Sequence, residues 1–266
     1  MSRVEAYTPQ FYEWLSIRSK QSAKIIVPLF LRYFQVTSVV DVGCGIGTWL
    51  RIFSDNNVQD MIGVDGPHID KTMLMIDKNV FVTANLAMPF MGDRRYDLAV
   101  SLEVAEHLPE ERAASFVKDL TELAPVVLFS AAVPGQPGVE HVNAQWQDYW
   151  RTIFFKHGYV ALDIVRPEIW GRTDVDYWYQ QNTIVYCDNT IIAARPDLHC
   201  VSQHVSLNVV HPHLYELKVQ EYQEIIKTLS QLNLRRAICA ISNRSLKSIW
   251  VRLRSVSEHL PWNRGE

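Results

Sequence analysis

A chain of 266 residues that is 48% apolar and 21% charged can bury one large core or two small ones, which excludes a disordered, collagen-like or disulfide-stapled protein. Its 26 Lys and Arg against 29 Asp and Glu give a net charge of −3, so no whole-chain positive field advertises a nucleic-acid partner. Cys44, Cys187, Cys200 and Cys239 lack CxxC spacing, which argues against a zinc knuckle and fits a reducing, cytoplasmic compartment.

In chain order, residues 8–35 read as helix, with Ile25, Ile26, Leu29, Phe30 and Tyr33 at helical spacing and Pro28 marking a kink or a break. This segment is expected to cap the sheet that follows. Short β-branched or apolar runs then predict strands at 38–41, 61–64, 80–83, 96–101, 126–130 and 159–165, with a last at 183–186 continuing into 191–194. Helices are expected at 48–56, 110–123 and 144–157. Strands alternating with helices predict an α/β fold with a doubly wound, Rossmann-like sheet over residues 1–200. Beyond Pro196 the pattern changes to a helical extension, 201–266, led by a long helix at 214–241.

The near-neutral charge is a cancellation. Residues 235–266 carry seven basic and two acidic side chains, leaving 19 basic against 27 acidic in the first 234. In the basic segment Leu246, Ile249, Trp250 and Leu253 share a helical stripe, so residues 244–256 are a candidate contact with a membrane surface or a partner protein.

The strongest local signal is Asp41-Val42-Gly43-Cys44-Gly45-Ile46-Gly47, a strand entering a glycine turn and then a helix. Glycines there let a ligand approach the backbone. The acid before the first glycine, and the spacing Asp-x-Gly-x-Gly-x-Gly, differ from the GxGxxG of dinucleotide folds. The run resembles motif I of the class I S-adenosylmethionine-dependent methyltransferases. That resemblance implies a seven-strand sheet, S-adenosylmethionine as cofactor, and a cofactor site including Asp41, Gly43, Cys44, Gly45 and Gly47. It places Asp65 at the ribose hydroxyls and Asn85 at the adenine amino group, with Leu86 and Leu102 also in the cofactor site.

After the fourth strand, Glu103-Val104-Ala105-Glu106-His107 puts two carboxylates and an imidazole at i, i+3 and i+4, one face of a helix if the backbone turns helical. With His141 they make four candidate ligands for a divalent ion such as Mg. The set is similar to that of small-RNA 2′-O-methyltransferases and ubiquinone-pathway O-methyltransferases. Many other members of the superfamily carry a similar string with no metal assigned, and that resemblance implies a Glu103 beside the cofactor and a His107 that packs or acts as a base. His141, His107 and Glu103 are the candidate catalytic residues.

Trp146, Tyr149, Trp150 and Phe154 fall on one helical face, and Tyr177-Trp178-Tyr179-Gln180-Gln181-Asn182 forms a second aromatic cluster bordered by amides. Aromatic faces beside amides suit a sugar. The string from Leu128 to Asn182 resembles bacterial methyltransferases of polysaccharide and glycosylated natural-product pathways, which implies O-methylation of a glycan or small-molecule acceptor. The alternatives are a metal-dependent enzyme acting on RNA or a quinol, and a cofactor-binding assembly module without catalysis.

Overall fold

The computed structural model describes residues 9–198 and 206–231, with side chains from 18 to 198 and from 206 to 229. It opens on helix α1 (Pro9–Tyr33), a single helix that carries Pro28 inside it. Pro28 is exposed, so the carbonyl whose partner its ring removes can be met by water. Then come β1 (Ser38–Val42), α2 (Thr48–Asp55), β2 (Asp60–Asp65), β3 (Phe81–Thr83), β4 (Leu98–Leu102), α3 (Ala113–Leu123) and β5 (Val126–Ser130). The second half adds α4 (Gln147–Lys156), β6 (Tyr159–Leu162), α5 (Arg166–Ile169), α6 (Tyr177–Asn182), β7 (Ile184–Asp188), α7 (Asn189–Ala194) and α8 (Pro212–Gln231).

The strands form one seven-stranded sheet in the order β3-β2-β1-β4-β5-β7-β6, parallel except for β7, which runs antiparallel to both β5 and β6. Alternation along each strand feeds two apolar layers. Val39, Leu98, Val126, Leu128, Val185 and Cys187 face α1 and α2, where Ile26, Val27, Phe30, Leu50 and Phe53 complete one core. Val40, Ala99, Val127, Phe129, Ile184 and Tyr186 face α3 and α4, meeting Phe116, Leu120, Trp150 and Phe154 in the other. A sheet buried on both faces explains why its strands read as unbroken apolar runs. The N-terminal helix thus covers one face of the sheet, as expected.

Two expectations need correction. Residues 191–194 are helix rather than strand, because the Asp188 carboxylate accepts the Thr190 N–H (2.7 Å) and hydroxyl (2.6 Å) and caps a new helix there. No helix begins at Glu103: its φ is +57°, and only Ala105–His107 form a short 3-10 turn. The chain divides into two compact units, 1–214 and 215–266. Segment 206–211 belongs to the first unit, where Arg166 donates to the Leu207 carbonyl (2.8 Å), Asp148 N–H to Asn208 Oδ1 (2.9 Å) and His211 N–H to Gln181 Oε1 (2.8 Å).

In the second unit, Tyr222, Ile225, Ile226 and Leu229 of α8 are exposed. The helix expected over 214–241 is seen from Pro212 to Gln231; its remainder and the basic stripe at 244–256 lie outside the described residues. Among the described residues no helix is long and apolar enough to cross a membrane.

Candidate active site

The parallel strands β1, β2, β4 and β5 all end at one edge of the sheet, and the motif residues gather there, as ligand sites do in open α/β sheets. Gly43, Gly45 and Gly47 have φ of +87°, +55° and +83°. A Cβ on Gly43 would lie 2.3 Å from a Val104 methyl, whereas one on Gly45 would meet nothing within 4 Å. The first glycine therefore serves packing, and the second leaves open space beside the backbone.

Asp41 is 2% exposed, and its Oδ2 has no hydrogen-bond partner. Burial, and then the charge of Asp65, hold its carboxyl well above the usual carboxylate range. Asp65, at the end of β2, accepts the backbone N–H of Gly45 (2.6 Å) and of Gly66 (2.6 Å), which binds the glycine turn to the second strand. Cys44 and Leu86 are buried apolar positions, and Leu102 closes β4. Asn85 is exposed, and its Oδ1 accepts the Ala87 N–H (3.1 Å). Beneath this loop Arg112 donates to the carbonyls of Leu86 (3.1 Å) and Met88 (3.0 Å) and pairs with buried Asp119, which accepts the Phe90 N–H (2.9 Å). Sequence reasoning missed Arg112, because only the fold brings it under a loop more than 20 residues earlier.

Glu103 takes its left-handed turn because its N–H bonds Ser130 across the β4–β5 edge, at 3.0 Å to the carbonyl and 3.1 Å to the hydroxyl. Its carboxylate accepts Gln136 Nε2 (2.8 Å) and Asn182 Nδ2 (3.1 Å). Gln136 Oε1 in turn accepts Asn182 Nδ2 (2.9 Å) and Gln181 Nε2 (3.2 Å). Gln136, Gln181 and Asn182 are thus a buried amide network behind Glu103. The Gln-Gln-Asn run was the visible signal, but its target lies about 80 positions away.

Glu106, His107 and His141 come together: each offers a ligand atom, and these atoms lie within 4.8 Å of one another. Glu103 stands outside this group of three. Glu106 is fully buried; neither carboxylate oxygen has a hydrogen-bond partner of good geometry, nor do Nδ1 of His107 and Nδ1 of His141. Burial, and then the neighbouring Glu103 charge, raise the Glu106 carboxyl well above its usual range. Burial, and then His141, lower His107 to about 4, and burial lowers His141. Both imidazoles are therefore neutral at physiological pH, the state in which an imidazole can ligate a metal or take a proton. Buried polar atoms without partners, on three side chains whose ligand atoms lie this close, are costly unless a cation or a proton sits among them.

The first aromatic stripe divides. Trp150 and Phe154 pack in the core against Phe129, so they cannot meet an acceptor, while Trp146 is 41% exposed. The second cluster begins with Tyr177, half-buried, whose hydroxyl is pushed up to about 12 by burial and then by the Glu103 charge.

The sheet order, the acid-led glycine turn and the acid closing β2 define a class I methyltransferase fold with an S-adenosylmethionine site. Asp41 Oδ2, which has no hydrogen-bond partner, can meet the ammonium of that cofactor, and Gly45 leaves room for its methionine end. A methyltransferase-domain family model matches residues 14–162, more than half of the chain. The chain belongs to that family and is an S-adenosylmethionine-dependent methyltransferase. Among solved structures it is similar to a candidate O-methyltransferase from Nostoc punctiforme (TM-score 0.50, 12% identity, covering 67% of this chain and 59% of that one). It is also similar to the methyltransferase domain of bacterial CtHen1 (0.47, 22%, 63% and 98%). Magnesium protoporphyrin IX methyltransferase from Synechocystis, with bound S-adenosylhomocysteine, is a third match (0.48, 18%, 65% and 84%). No curated protein matches the chain by sequence.

Proposed function

We propose that the enzyme methylates a hydroxyl oxygen with the help of a divalent cation held by Glu106, His107 and His141, and that the acceptor is a sugar of a glycan or glycosylated metabolite. The observation that carries this reading is the convergence of those three side chains, each of which carries a buried polar atom without a hydrogen-bond partner. A carboxylate with two neutral imidazoles suits a borderline or hard divalent ion. When bound, such an ion supplies the positive charge that makes an acceptor hydroxyl easier to deprotonate.

The chain's own residues do the rest. Asp41 and the glycine turn orient the cofactor so that its methyl faces the acceptor, a proximity effect on an already reactive sulfonium. The acceptor oxygen bonds the methyl carbon as the carbon–sulfur bond breaks, leaving S-adenosylhomocysteine. With His141 and His107 engaged as ligands, the hydroxyl proton leaves to water; with no ion bound, either neutral imidazole can receive it instead. Gln136 and Asn182 hold the Glu103 carboxylate in place through two amide N–H donors.

The test is transfer of labelled methyl from S-adenosylmethionine into fractionated cell extract, with and without chelator. Label in a carbohydrate fraction that disappears with chelator and returns with Mg or Mn supports the reading. Transfer indifferent to chelator would remove the metal from it.

A further inference from the structure

Beyond the catalytic cluster, the same edge of the sheet carries a group of rings that the cofactor and the proposed cation site leave unused. β6 runs parallel to the other strands, so the chain leaves it at the ligand edge and reaches Trp170 just after α5. β7 runs the other way, so α6, which precedes it, also lies at that edge and presents Tyr177. Segment 206–213 adds His211 and His213. Ring centroids are 4.9 Å apart for Trp170 and His211, 6.0 Å for Tyr177 and His211, and 4.8 Å for Tyr177 and His213.

The group is held from beneath. Buried Gln180 accepts the Gly171 N–H (2.6 Å) and donates to the carbonyls of Arg172 (2.8 Å) and Val175 (2.6 Å), which fixes the loop after Trp170. Gln181 accepts the His211 N–H and joins it through Gln136 to Glu103. The rings are therefore tied to the reaction centre, yet Trp170 remains 41% exposed and His213 is exposed. The guanidinium groups close by are neutralised in place, Arg172 by Asp174 and Arg18 by Asp176. A strand of nucleic acid needs a groove of cations along its backbone as well as rings; a neutral sugar needs ring faces for its C–H groups and neutral donors and acceptors for its hydroxyls.

We propose that Trp170, Tyr177, His211 and His213 form the acceptor-binding wall, on which an uncharged sugar ring of a glycan stacks with its reacting hydroxyl directed toward Glu106 and His141. This rests on the reading of the chain as an O-methyltransferase. The test uses the full-length enzyme, labelled S-adenosylmethionine and the extract fraction that accepts label, with Trp170→Ala and His213→Ala beside the parent; cofactor affinity by calorimetry reports that each variant is folded. The expected result is label in monosaccharides after acid hydrolysis, and a rise of about fivefold or more in the amount of acceptor fraction needed for half-maximal rate in Trp170→Ala, with cofactor affinity unchanged. Label released by nuclease or extracted with quinones, or variants that match the parent on a carbohydrate acceptor, would overturn the wall while leaving O-methylation standing. Absence of any transfer to oxygen would overturn both.

Discussion

The backbone carbonyl of Glu106 accepts the amide N–H groups of both Val142 and Asn143, each at 2.9 Å, so the turn that carries Glu106 and His107 is clamped to the loop that carries His141. The clamp leaves the two imidazole rings edge to face, 5.0 Å between centroids. Glu140, beside His141, takes a left-handed φ of +55°, and Glu103, near His107, one of +57°. Non-glycine residues in that region carry strain, which concentrates where a site must be held in one geometry.

His141→Ala leaves the cofactor loops untouched. Turnover is expected to fall by roughly 100-fold or more, the usual scale for losing a positioned proton acceptor or ligand, while cofactor affinity stays within about twofold. Steady-state kinetics paired with calorimetry separates the two effects.

Glu106→Leu removes a buried carboxyl whose oxygens lack hydrogen-bond partners of good geometry. Replacing such a group with an apolar one of similar volume relieves a desolvation cost on the order of 1–3 kcal/mol. The variant should therefore melt higher than the parent in chelator-treated buffer while losing turnover, a gain in stability at a site kept for function. A lower melting temperature would mean that the carboxyl is satisfied in solution.

Asp41 sets a pH dependence. Its carboxyl is held above the usual range, so the ligand-free folded chain keeps a proton that the unfolded chain releases near pH ~3.9. The group's contribution to stability is full in acid and is lost as pH rises from there through the folded value. A cofactor ammonium beside Asp41 favours the ionised form, so affinity should weaken as pH falls below that folded value, with proton release on binding. Asp41→Asn should abolish both the proton release and this pH dependence, measured by calorimetry in buffers of different ionisation enthalpy.

Two glycines should respond differently to alanine. Gly43→Ala drives a Cβ into Val104 and should destabilise the fold; Gly45→Ala meets open space and carries only the left-handed penalty, about 1–2 kcal/mol. Thermal melts should rank them in that order, and Gly45→Ala should lose cofactor affinity by more than its melting temperature suggests.

Arg112→Met would leave Asp119 buried without its cation and free the loop of Leu86 and Met88. Breaking a buried pair from one side costs about 3–5 kcal/mol. Denaturant unfolding reads that loss; Arg112→Lys, which keeps the charge but loses the fork, should raise the KM for S-adenosylmethionine more than it lowers kcat.

The sheet was legible because each strand is a short apolar run, and the cofactor edge was legible because Asp41, the glycines and Asp65 are local to two consecutive strands. Residues 191–194 misled because β-branched Ile191 and Ile192 read as strand, while the deciding cap came from Asp188. Helical spacing placed Glu103 with Glu106 and His107, but Ser130 across the sheet edge turns Glu103 aside. The roles of Gln136, Gln181, Asn182 and segment 206–211 were beyond reach of the sequence for the same reason: their hydrogen bonds join positions far apart in the chain.

The central claim is that Glu106, His107 and His141 hold a divalent cation, and electron paramagnetic resonance of Mn titrated into chelator-stripped, full-length enzyme tests it most directly. The account predicts one bound ion per chain, lost in His141→Ala and in Glu106→Leu. Mn that remains free in the parent, or binding that both variants retain, would contradict it.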